Sequence, residues 1–128
     1  MSPVVKAAFA YVTPVLAVAF ALGALRVTFL APEIGPFAAV ALEVPVVLLL
    51  SWLVAGRVLT KVPLLRHDRI AMGALAFVLL MVAELVLAIA FGQTPARFLS
   101  DLVTPAGALG LCAQIGFGLI PALRQARG

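Results

Sequence analysis

At 128 residues the chain is 65% hydrophobic and 11% charged, against an apolar share of about 45–50% in soluble globular domains, so it lacks the polar surface to cover a water-soluble globule. A lone cysteine, Cys112, and a lone histidine, His67, exclude an internal disulfide, an Fe–S cluster and haem held by a histidine pair, and no metal or cofactor is expected. The net charge of +4 does not point to nucleic acid, because the basic residues flank apolar runs instead of lining an aromatic-rich face.

Four apolar runs, near 7–31, 35–56, 70–91 and 104–123, are each long enough to cross a hydrocarbon layer roughly 30 Å thick at about 1.5 Å per residue. Lipid leaves no water for unpaired backbone N–H and C=O groups, so these runs are expected to be helices. The predicted fold is all-α: one transmembrane domain over 1–128, a four-helix up-down-up-down bundle whose short loops make sequential spans antiparallel neighbours.

The first run follows Lys6 and exceeds the 7–15 apolar residues of a secretory signal, so it is read as a retained span. Ala19 and Gly23, four apart, form a small-residue pair for helix packing, and Arg26 lies about five residues inside the end of the run. The turn "LAPEIGPF" holds Glu33, read as a solvated loop acid. Glu43 lies within the second run, where Pro45 removes a backbone hydrogen bond; a kink near 41–45 and a free carbonyl at Ala41 are expected.

Between the second and third runs, Arg57, Lys61, Arg66 and Arg69 form a basic loop over 57–69 with His67 solvated among them. Such a loop attracts anionic lipid at about 1 kcal/mol per charge. Asp68 is the expected N-cap of the third span, whose stretch "FVLLMVAELVLAIAF" contains one ionisable residue, Glu84. Thr94-Pro95 predicts a short surface helix over 95–101 with Phe98 and Leu99 dipped into lipid, and Thr104-Pro105 predicts the start of the fourth span. There Ala106, Gly110, Gln114 and Gly118 recur every fourth residue as a packing ridge, and Cys112 is read as packing material.

Lys6, the four basic residues of the 57–69 loop, Arg124 and Arg127 fall on one side, which the positive-inside rule assigns to the cytoplasm together with both termini. Tyr11 and Trp52 then lie at the cytoplasmic headgroup level. The alanine-rich, arginine-over-lysine composition fits a bacterial inner (plasma) membrane, and membrane lipids are the expected partners, with a homodimer or a larger membrane complex as the expected assembly.

Arg26, Glu43 and Glu84 each lie roughly 7–12 Å inside the outer ends of their spans. Each costs about 2.5–3.5 kcal/mol at a helix centre, so a common depth predicts that the three charges meet. Two acids and one base favour a retained proton shared between Glu43 and Glu84, with Gln114 extending the polar group. Three roles follow: a structural or partner-binding polar site, ranked first; a proton-coupled carrier or channel for a small solute or ion; and a membrane-embedded lipid-modifying enzyme, with no phosphate loop, zinc motif or nucleophile elbow to favour catalysis.

Overall fold

The computed structural model describes residues 2–124; Arg127 of the tail lies outside them. Helix α1 spans Pro3–Leu25, started by Ser2, whose hydroxyl accepts from the Val5 N–H at 3.2 Å, with Pro3 supplying the fixed first φ. The rod then passes through a π-helical segment, Arg26–Leu30, into α2, Ala31–Ile34. Pro32 has no N–H to donate, and just before it the Ala31 N–H bonds back five residues to the Arg26 carbonyl. Gly35, at φ 89°, turns the chain directly into α3, Pro36–Lys61.

Helix α4 spans Arg66–Ala90 and ends in a Schellman arrangement: Gly92, at φ 98°, bonds to the Ile89 carbonyl and Gln93 to that of Ala88. The short α5, Pro95–Asp101, and then α6, Pro105–Leu123, start at threonines as expected. The Thr94 hydroxyl accepts from Arg97 N–H and the Thr104 hydroxyl from Gly107 N–H, both at 3.1 Å. Four rods, Pro3–Ile34, α3, α4 and α6, are long and apolar enough to cross a membrane. The all-α bundle of four candidate spans is therefore present.

Helices outrun the apolar cores that predicted them. Arg57 and Lys61 lie on α3 and Arg66 to Arg69 on α4, so the basic loop shrinks to 62–65. Long basic side chains can reach polar surroundings from helix ends, so charge does not stop a helix there. Asp68 consequently sits in the first turn of α4, with its carboxylate 3.4 Å from exposed His67, and the N-cap is Leu65, without a side-chain bond. Glu33 is helical and exposed in α2. The backbone stays helical through exposed Pro45, and a π-helical segment lies upstream of Pro32.

Around the bundle, α1 packs against α3 and α4, and α6 also packs against α3 and α4. The consecutive α3 and α4 are therefore diagonal partners, contrary to the expected neighbour order, and 62–65 crosses one end of the bundle. Glycines explain the choice of α6 as α4's partner: a Cβ at Gly73 would run into the Gly118 carbonyl oxygen, and one at Gly118 would lie 3.1 Å from Phe77 Cβ.

The interior is built of small residues, Ala7, Ala8, Ala55 and Ala76, around buried Tyr11, Val15, Leu59, Met72 and Phe117. Large apolar side chains such as Leu42, Leu49, Leu53, Val78, Val82 and Val86 point outward, each more than half exposed. Cys112 is on this outer surface and not in the packing. Tyr11 corrects the headgroup expectation, being fully buried with its ring stacked on Phe117 at 4.3 Å between centroids. Trp52 remains 40% exposed beneath the Arg124 guanidinium, 5.0 Å from its ring centroid. Arg69 Nη1 donates to the Arg124 carbonyl at 2.8 Å, tying α4 to the end of α6.

Candidate functional site

At the end of the bundle away from Trp52 and Arg124, the four rods and α5 enclose a cleft of about 870 Å³. The small residues on its walls leave the space. Ala19, Gly23, Ala106 and Gly110 line it, and a Cβ added at Gly110 would meet nothing nearer than Val40 Cγ1 at 4.0 Å. The fourth-span ridge therefore divides in function. Gly118 makes the close helix approach, whereas Ala106 and Gly110 hollow the cleft.

The structure brings Arg26, Glu43, Glu84 and Gln114 to this one cleft. Arg26 opens the π segment, and its Nη1 forms an ion pair with Glu43 Oε2 on α3. Their side chains are 29% and 14% exposed, so the pair is held largely out of solvent. Gly23, one turn earlier, makes room along the rod: its Cβ position lies 3.7 Å from Arg26 Nη2. Pro45 and Ala41 face outward and do not line the cleft.

Glu84 has a different environment. Gln114 Nε2 donates to both carboxylate oxygens, at 2.6 Å to Oε2 and in close contact with Oε1. Among the described residues no cation pairs with Glu84 directly. The two carboxylates thus have separate partners on one cleft, a guanidinium for Glu43 and a neutral amide for Glu84. The other end of the amide, Gln114 Oε1, is buried and accepts no hydrogen bond among the described residues.

The remaining walls are mostly apolar. Phe117 and Leu80 form part of the buried floor, Phe20 and Phe91 stack at 6.3 Å where α1 meets α4, and Phe98 from α5 turns partly inward while Leu99 stays exposed. Asp101 also faces the cleft and is paired through Arg97 Nε at 3.1 Å. Sequence reading did not assign Asp101 to the site; the Arg97 and Asp101 spacing of four on α5 was the available signal. Among the described residues no three His, Cys, Asp or Glu side chains gather to hold a metal ion.

A hollow of this size with apolar walls and a few converging polar groups is the usual form of a small-molecule site. Compared with models of known protein families, with curated proteins and with solved structures, the chain matches none.

Proposed function

We propose that the chain is an integral inner-membrane protein, its basic end in the cytoplasm, that carries a small solute across the membrane in exchange for a proton held at Glu84. The observation that supports this reading is the convergence of Arg26, Glu43, Glu84 and Gln114 on a single cleft large enough for a solute. Glu43 is neutralised by Arg26 in direct contact, whereas Glu84 has only an amide. A carboxylate in such surroundings is stable either protonated or beside an arriving cation, and alternation between two stable states is what coupling requires. The intramembrane position of three costly charges favours function over packing alone, because polar contacts between membrane helices average only about 0.6 kcal/mol.

The test is the full chain in proteoliposomes with a trapped pH dye, challenged with cationic, neutral and anionic small solutes. A solute-evoked proton movement that disappears in Glu84→Gln is expected. A second reading, a structural or partner-binding clamp, draws support from the direct Arg26 to Glu43 pair. It prevails if no solute moves protons while Glu43→Gln and Glu84→Gln only lower the melting temperature, or if mild purification recovers another chain in fixed ratio.

A further inference from the structure

Resting on the carrier reading, we infer that the cleft selects a hydrophobic ammonium ion with N–H donors, which replaces the proton at Glu84 and bonds to the Glu84 carboxylate and Gln114 Oε1. The first ground is the charge facing the cleft from each element. The π segment contributes Arg26, α3 Glu43, α4 Glu84 and α5 Asp101, while α6 contributes only the neutral Gln114. Arg26 is paired with Glu43 and Arg97 with Asp101. Among the described residues Glu84 is left as the carboxylate whose charge no contacting cation balances, so a guest of single positive charge completes the site and an anion meets repulsion.

The second ground is the hydrogen-bond inventory. Gln114 has spent its Nε2 on Glu84, and its buried Oε1 still lacks a donor. The Glu84 carboxylate and Gln114 Oε1 are both acceptors, and the charge of the Arg26 guanidinium is balanced by Glu43, so a guest that donates suits the site. A primary or secondary ammonium does so; a quaternary one does not. The third ground is the wall, where Phe20 and Phe91 offer apolar and aromatic surface for a hydrocarbon body and its cationic end.

The exchange balances. The Glu84 carboxyl O–H breaks and its proton leaves to water; the ammonium enters with all of its own protons and its single charge, so one positive charge replaces another. No oxidant or further reactant takes part.

The experiment is calorimetric binding to the purified full chain with three probes of one size: phenethylammonium, phenyltrimethylammonium and phenylacetate. Phenethylammonium is expected to bind best, and because it displaces the Glu84 proton its affinity should fall as the pH is lowered while the alkylammonium stays charged. Glu84→Gln should lose this binding, Glu84→Asp, which keeps the charge, should retain its pH dependence, and Gln114→Leu should reduce the preference over the quaternary ion. Preferred binding of phenylacetate, equal binding of the quaternary ion, pH-independent affinity, or unchanged binding in folded Glu84→Gln each overturns the inference. Proton movement in proteoliposomes driven by neutral or anionic solutes alone overturns it and leaves the carrier reading standing; silence with every solute overturns both.

Discussion

The hydroxyl of Tyr11 donates to the backbone carbonyl of Phe117 at 2.5 Å across the centre of the bundle, joining residues 106 positions apart. The reason lies four residues beyond Phe117. An α-helix would satisfy that carbonyl with the N–H of residue 121, but residue 121 is proline and has none. Tyr11 supplies the missing donor from the opposite rod, beside Ser51, whose own hydroxyl donates to the Val47 carbonyl. A covalent feature of α6 thereby fixes the depth at which α1 sits.

Tyr11→Phe is expected to destabilise the bundle by about 1–3 kcal/mol, the cost of a buried carbonyl left without a donor. Pro121→Ala restores the helical N–H, so in that background the same tyrosine substitution should cost less than half as much. Thermal unfolding of the four proteins in one detergent, arranged as a double-mutant cycle, measures the coupling.

Gly73→Ala should cost about 1–3 kcal/mol by overpacking, because its new methyl meets the Gly118 backbone and α4 must move away from α6. Gly110→Ala is the contrasting case. Its methyl reaches only ordinary contact with Val40, and the helix propensity gain of up to about 1 kcal/mol should leave the melting temperature unchanged or raised.

Arg26→Met and Glu43→Leu each strand one charge of a largely buried pair, with losses of up to about 3 kcal/mol expected. The double variant should be more stable than either single one, since no unmatched charge remains. Equal or greater damage in the double variant, seen by the same unfolding assay, would show that the pair contributes more than mutual neutralisation.

Trp52 is the chain's sole tryptophan, so its emission reports the contact with Arg124. Arg124→Ala removes a cation–π contact worth about 0.5–1 kcal/mol at an exposed site and should shift the fluorescence. Gly56→Ala should produce a similar spectral change, because its methyl would occupy the place of the Arg124 guanidinium. Stability should fall only slightly in both.

Length and apolarity made the four rods legible, and threonine before proline marked the starts of α5 and α6, because these signals are local. Arg26, Glu43, Glu84 and Gln114 stood out for the same reason: a polar residue in an oily run is conspicuous wherever its partner lies. The order of rods around the bundle was not legible, since it depends on how Gly73 and Gly118 mesh in space. Tyr11 was misread because the tendency of aromatic rings to lie at headgroups is an average, while its actual partner is set by Pro121 at the far end of the chain. The π segment was likewise hidden. Pro32 advertised a missing donor, but whether a turn breaks or widens there is decided by the surrounding rods.

The outward positions of α3 and α4, among them Leu42, Leu49, Leu53, Val78, Val82 and Val86, belong neither to the small-residue core nor to the walls of the cleft. Skin and interior are thus separable in this molecule. Recoating such positions with glutamate and lysine, which favour helices as much as leucine does, touches no group around Glu84 and is expected to give an aqueous twin in which guest binding can be measured without detergent or lipid.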